Sequence, residues 1–465
     1  MTFSEAGFEV AILGGGPAGL AAGYYAKKSG LPFRIFEASP AVGGNSITFH
    51  WGPFGYDSGA HRYHDKDAGV TEELRSLLGD DLRKIQVPSQ IYQKGKLVDF
   101  PLSPLNVVIR LGLATCLRGG LDFVRGQLSR PPRFETFESF AVHTYGKTIA
   151  DLFLLNYTEK LWGLPCDRLS PNVSGKRLKG LIFTTFLKEV FLGNKAKTEH
   201  LDGSFYYPGK GIGVIPEALA RFCGPEAIET NARVTRVFHD GTAVTGIEIN
   251  GSRQVLAHAA VSTLPLSALI AALTPSAPAS IRELAAKLEF RDVLLVALFV
   301  DRPCISRNAS IYFPSREFCF TRLYEPKNRS PELAPPDKTC VVLEIPTRRD
   351  HPFWSMNEKE LTRQVVDSFL KTGFIEEREI LGSTVHKLPF AYPILEAGFD
   401  GKVQSIMDYL RKFRNLKISG RCGKFLYTHL HDMMMFGREI AAELLQERGR
   451  IYHGNRKPES VEKCP

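Results

Sequence analysis

The chain has 465 residues, 43% hydrophobic and 23% charged, ordinary globular proportions that suit two or three domains rather than one small core. Its formal net charge is +9, but no Lys/Arg run interleaved with aromatics accompanies it, so a mildly basic enzyme surface is expected and a nucleic-acid partner is not. The eight cysteines form no Cys-x-x-Cys pair, which argues against zinc or iron–sulfur and suits a reducing, cytoplasmic setting.

In chain order, Met1 to Glu9 shows no basic region leading into an apolar stretch, so no signal peptide is expected. Phe8-Glu-Val-Ala-Ile-Leu13 predicts a buried strand. Gly14-Gly-Gly-Pro-Ala-Gly19 follows; Pro17 suits a first helical turn, and Gly30 a stop after Ser29. Phe33–Phe36 predicts a second strand ending at Glu37. Ser103 to Arg130 reads as a helix, apolar on one side, with Arg110, Arg118, Arg125 and Arg130 along it and Pro131-Pro132 at its end. Its apolar side is expected to be buried against neighbours, a membrane surface being the alternative. No window reaches the ~18–20 apolar residues of a membrane span. Phe137 to Trp162 reads as further helix.

Residues 233–264 predict a β-meander. Val234–Phe238, Val244–Ile249 and Val255–Thr263 are its strands, and Asp240-Gly241 and Asn250-Gly251 its turns. Strands are expected at Val293–Phe299 and Cys340–Ile345, and a helix over Glu358–Thr372. Leu416–Ser419 then predicts a strand running into Gly420, and Asp432–Arg448 a helix stopped by Gly449 before a polar tail over 451–465.

Gly14-x-Gly16-x-x-Gly19 gains weight from its setting, because it follows a strand, opens a helix, and precedes Glu37 by 18 residues. Gly14 permits the tight turn, Gly16 lets a pyrophosphate approach the backbone, and Gly19 lets helix and strand lie close. The helix N-terminus presents free N–H groups to the anion, and Glu37 can bind a ribose. Such a unit takes NAD or FAD. The second glycine turn after Ala38 (Gly43-Gly44-Asn45), the meander opening at Val234, and Ser419-Gly420-Arg421 before a late helix favour FAD.

These motifs, with Asp57-Ser-Gly59-Ala60-His61-Arg62-Tyr63, Tyr157-Thr-Glu-Lys-Leu-Trp162-Gly163, Phe205-Tyr206-Tyr207-Pro208-Gly209, Ala391-Tyr392-Pro393 and Gly420-Arg421-Cys422-Gly423, carry a resemblance. The chain resembles the FAD-dependent protoporphyrinogen-oxidase and amine-oxidase superfamily, in a bacterial branch sharing motifs with UDP-galactopyranose mutase. The implied fold is α/β: a Rossmann-type FAD-binding domain with a β-meander (1–75, 205–265 and 415–450) plus a discontinuous α+β substrate domain (76–204 and 266–414). The resemblance implies FAD contacts at Gly14, Gly16, Pro17, Ala18, Gly19, Glu37, Ala38, Gly43, Gly44, Asn45, His61, Val234, Gly420, Arg421, His431 and Asp432. The last two would stand where the final helix points at the flavin, in His429-Leu-His431-Asp432 rather than the commoner Asn-Met-Asp. Cys422 is expected to be a packing residue rather than a covalent flavin attachment.

Two reactions follow from the resemblance. In the first, a small-molecule substrate is oxidised by hydride transfer to flavin N5, with His61, Tyr392 and His429 as catalytic candidates, His386 a further possible base, and Arg62, Trp162, Arg177, Tyr206, Tyr392 and Tyr427 around the substrate. The second is a redox-neutral sugar-nucleotide mutase, which needs arginines to hold a diphosphate; Arg168 and Arg177 follow Trp162 at plausible spacing. Arg62 after His61 looks more oxidase-like, so oxidation is the expectation. A flavin-binding protein without turnover is the third reading.

Overall fold

The computed structural model describes residues 9–100, 106, 109–110, 112–128, 134–174 and 204–454. The chain divides into two compact units, one of residues 1–44, 216–287 and 403–465, the other of residues 45–215 and 288–402. The divisions fall at other places than the expected 75, 205, 265 and 415.

The first unit is built on a five-stranded parallel sheet. Its order is Leu416–Ile418, Ala259–Ser262, Val10–Leu13, Phe33–Phe36, Ile228–Glu229. Val10–Leu13 is buried along its whole length, as a run without alternation requires of a central strand. From that strand the chain grows outward first to one side and then to the other, so the order reverses beside it. The helix Pro17–Lys28 begins with Pro17 after Gly16 and ends at Ser29, with Gly30 at φ +64°. The final helix, Leu430–Gly454, lies along it, close enough that a Cβ on Gly437 would stand 2.8 Å from the Ala21 carbonyl oxygen. Gly449 does not stop this helix; one glycine costs an exposed helix only about 1 kcal/mol.

The meander pairs Val234–His239, Val244–Ile249 and Arg253–Leu256. The expected third strand, Val255–Thr263, is two strands in two sheets: after Leu256 the chain leaves the meander, and Ala259–Ser262 enters the parallel sheet beside Val10–Leu13.

The second unit centres on a seven-stranded, mostly antiparallel sheet. Its order is Ile380–Pro393, Phe290–Val300, Thr339–Thr347, Arg322–Tyr324, Ser310–Tyr312, Ser89–Gln93, Lys96–Phe100. Strand periodicity sorts its two faces. Leu294, Val296, Leu298, Val341, Leu343, Ile345 and Leu323 pack with the helix Glu358–Leu370 through Leu361, Val365 and Phe369. Val293, Leu295, Ala297, Phe299, Cys340, Val342 and Tyr324 face the other way, toward Phe54, Tyr56 and Ala60 of the Thr48–Asp57 hairpin and the loop after it.

Helix is expected throughout Phe137–Trp162, but Gly146, at φ +78°, interrupts it after Tyr145, and a π-helical stretch at Ala150–Leu155 leads into Asn156–Trp162. The helix Leu113–Leu128 lies within the predicted 103–130 stretch, but its apolar side is not buried: Leu113, Leu117, Leu121, Val124 and Leu128 are 53–82% exposed. No helix among the described residues is long and apolar enough to cross a membrane.

Candidate active site

The turn after the first strand makes a backbone cradle. Gly14 stands at φ +105°, and a Cβ there would meet the Thr263 hydroxyl at 2.4 Å. A Cβ on Gly19 would lie 1.8 Å from the Gly14 carbonyl oxygen, so the helix can approach this turn only through glycine. The second glycine turn closes on the first: Gly43 N–H donates to the Gly15 carbonyl at 2.9 Å, and a Cβ on Gly44 would stand 3.2 Å from the Gly16 Cα. Pro17 and Ala18 open the helix above this turn; no side chain caps its N-terminus and no carboxylate occupies its first turn. An anion is therefore the natural partner of those N–H groups.

Glu37 folds back under the turn. Its Oε2 accepts from Gly15 N–H at 2.7 Å and its Oε1 from Ser39 N–H at 2.8 Å, with Ala38 between. Each oxygen keeps acceptor capacity for a ribose hydroxyl. The Glu37 carbonyl accepts from Ala232 N–H at 2.7 Å, which brings the start of the meander at Val234 to the same corner. Gly420 comes close to Ala18, where a Cβ would find the alanine methyl at 3.3 Å.

Ser262 ends the strand Ala259–Ser262 and Ser419 follows the adjacent strand Leu416–Ile418; their hydroxyls, and that of Thr428, are buried with no hydrogen-bond partner among the described residues. A glycine-walled cradle, a helix N-terminus, a ribose-binding carboxylate and buried polar hydroxyls at the carboxyl ends of the strands fit a dinucleotide such as FAD. The final helix begins in the same unit. Asp432 accepts from His429 N–H at 2.8 Å, His429 stacks on His431 at 5.7 Å, and Arg421 holds the Thr428 carbonyl at 2.7 Å beneath the Tyr427 ring. Burial pushes the Cys422 thiol up to about 12, so it stays protonated near neutrality.

In the second unit the chemistry gathers on the sheet face opposite the Glu358–Leu370 helix. Glu344 is paired bidentately with Arg322 at 2.7 and 2.8 Å and also accepts from Ala60 N–H at 2.7 Å, so the Gly59-Ala60-His61 loop is tied to the sheet by a buried carboxylate. His61 Nε2 lies 3.4 Å from the Ser58 hydroxyl. Asp57 accepts from Thr48 Oγ1 at 2.8 Å, Ile212 N–H at 3.0 Å and the Tyr207 hydroxyl. Burial pushes its carboxyl above the ordinary range, against the Tyr207 hydrogen bond and the Arg329 guanidinium. Arg329 donates to the carbonyls of His61 and Ala309 and lies over the Tyr324 ring at 4.7 Å.

Arg62 donates to Ser89 at 2.8 Å and lies over the Phe205 ring at 4.9 Å. Trp162 is buried with its ring edge-on to Tyr392 at 6.0 Å. Arg291 donates to the Leu161, Lys160 and Pro346 carbonyls and fills the space beside Gly163, which is why a glycine follows Trp162. Tyr157 lies half-buried near Arg322, and desolvation raises its phenol well above the ordinary range.

The structure thus brings Gly14, Gly16, Pro17, Ala18, Gly19, Glu37, Ala38, Gly43, Gly44, Val234 and Gly420 to one corner of the first unit, and Arg421, Tyr427, His429, His431 and Asp432 belong to the same unit. Asn45, His61, Arg62, Trp162, Tyr206 and Tyr392 belong to the second. Asn45 donates to the Pro389 carbonyl, and the Tyr206 hydroxyl accepts from Arg75 at 2.7 Å. Arg177 lies outside the described residues. His386 stacks on Phe49 at 3.7 Å and contacts the Tyr56 hydroxyl at 3.0 Å, and burial lowers its pKa; it serves the hairpin. Arg168, a diphosphate candidate in the mutase reading, pairs with Glu396 at 2.8 Å on the surface. The sequence offered no signal for Glu344, Arg322, Arg329 or Ser262; for Asp57, Tyr157 and Ser419 the signal was their place in the quoted motifs.

A glycine cradle on a parallel sheet with an attached meander, joined in one chain to an antiparallel sheet unit, defines a dinucleotide-binding flavoprotein. The model of the flavin containing amine oxidoreductases matches residues 17–392, and the chain belongs to that family: it is an FAD-dependent enzyme. Three solved structures share its fold. A reduced UDP-galactopyranose mutase aligns at TM-score 0.81 and 19% identity, over 96% of this chain and 99% of that one. A protoporphyrinogen-oxidase-like protein from Exiguobacterium sp. 255-15 aligns at TM-score 0.75 and 16% identity, over 96% and 100%. A triple mutant of a putrescine oxidase aligns at TM-score 0.66 and 14% identity, over 95% and 99%.

Proposed function

We propose that the chain oxidises a small organic substrate, with His61 as the base that takes the substrate's proton. FAD in the cradle supplies the hydride acceptor. The observation that carries the choice is the state of three largely covered arginines among the described residues of the substrate unit. Arg322 is neutralised by Glu344, Arg329 is held by carbonyls and Tyr324, and Arg291 by three carbonyls of the chain. Each is committed to the protein, whereas a mutase reaction on a sugar nucleotide needs guanidiniums free to grip two phosphates. Around them stand Tyr157, Tyr312, Trp162 and Tyr392, with Tyr157 edge-on to Tyr312 at 5.6 Å, which suits a ring or alkyl amine better than a diphosphate.

The test is to mix the purified, flavin-loaded protein anaerobically with amines and with partly saturated ring compounds, following flavin bleaching, then to admit oxygen and assay peroxide. Bleaching by one of these classes supports oxidation. Conversion of UDP-galactopyranose by dithionite-reduced protein, with no net electron change, would replace this reading with the mutase. A spectrum that no compound alters, reduced or oxidised, leaves a flavin-binding protein without turnover.

A further inference from the structure

The helix Leu113–Leu128 is turned the wrong way for a core element. At 100° per residue, Leu113, Leu117, Leu121, Val124 and Leu128 fall within an arc of about 80°, and this is its exposed side. The side that packs includes two glycines and the helix's one carboxylate. A Cβ on Gly119 would stand 3.2 Å from Ile149, and one on Gly126 3.0 Å from the His143 carbonyl oxygen. Asp122 accepts from Thr148 N–H at 3.1 Å and from its hydroxyl at 2.6 Å. Exposed Arg118 and Arg125 lie along one edge of the leucine stripe, and exposed Ile109 and Arg110 precede it. The helix's single carboxylate, Asp122, is the inward one, 4.0 Å from Arg125.

We propose that this face rests on an anionic bilayer surface, with the leucines among the acyl chains and Arg110, Arg118 and Arg125 at the phosphates. The helix is too short to cross, and an apolar stripe with arginines along one edge is the pattern of one lying in the interface plane. Charge favours lipid over a second copy of the chain: two such faces would bring arginines together with no outward carboxylate on this helix to meet them. The inference stands apart from the identity of the reaction.

The flavin-loaded full chain is floated with vesicles of phosphatidylcholine alone and with vesicles containing phosphatidylglycerol. Flotation with the anionic vesicles, weakened by added salt, is expected. Leu117→Glu with Leu121→Glu abolishes it, and Arg118→Gln with Arg125→Gln lowers the partition constant on anionic vesicles about 30-fold. Protein remaining at the bottom of both gradients, or floating equally well with the glutamates in place, overturns the proposal. So does a dimer in sedimentation velocity without lipid that the glutamates dissolve, since the face would then belong to a second copy.

Discussion

Glu37 carries two loads at once, bracing the cradle through Gly15 and Ser39 and offering the same carboxylate to a ribose. Replacing it with Ala removes charge-assisted hydrogen bonds of about 1.5–3 kcal/mol each. Glu37→Ala is therefore expected to weaken FAD binding by about 10- to 100-fold, measured by titrating the apoprotein with FAD; unchanged affinity would remove Glu37 from the site. For His61, the proposed base, His61→Ala should slow flavin reduction per bound flavin by about 10²–10⁴-fold, and an unaltered rate would assign the proton elsewhere. Residues of the cradle were legible in the sequence because their constraints are local: Gly19 answers to Gly14, five positions away. Glu344 and Arg329 were not, because Ala60 and His61 lie 284 and 268 residues from them in the chain. No spacing rule reaches across such intervals.

Elements were legible as to type and less so as to what covers them. Periodicity marked the Leu113–Leu128 helix as one-sided but did not say that its glycine side would be the packed one. The 255–263 run was apolar enough for one strand, yet the chain divides it between two sheets. Close helix packing through Gly437 is likewise invisible until Ala21 is seen beneath it. A side chain at 437 has to push two helices apart, and overpacking of this kind costs about 1–3 kcal/mol. Gly437→Ala should lower the urea midpoint accordingly, with the exposed Glu439→Ala nearly silent as the control. In the other unit, Glu344→Ala strands a buried guanidinium and should cost about 3–5 kcal/mol, whereas the paired Glu344→Gln and Arg322→Gln change should cost less than that single substitution.

At the scale of the whole molecule, the boundaries of the two units were less legible than their motifs: Asn45 and Tyr206, both read with the FAD domain, belong to the second unit. The buried titrating groups set a pH profile that no single motif displays. Lys160 donates to the Phe313, Ser315 and Phe320 carbonyls, and burial lowers its pKa to about 7. The unfolded chain then binds this proton more tightly than the folded one, so its penalty is full below about 7 and lifts as pH rises toward the ordinary lysine value. Cys166, Cys223 and Cys422 act in the opposite sense: burial raises each to about 12, so above the ordinary thiol range the unfolded chain ionises first and stability falls. Stability should therefore climb between about 7 and 9, by no more than about 1.4 kcal/mol per pH unit, and decline beyond. Urea unfolding across this range measures it. Lys160→Met should flatten the rising limb and leave the alkaline decline in place; a rising limb that survives the substitution would place its cause in another group.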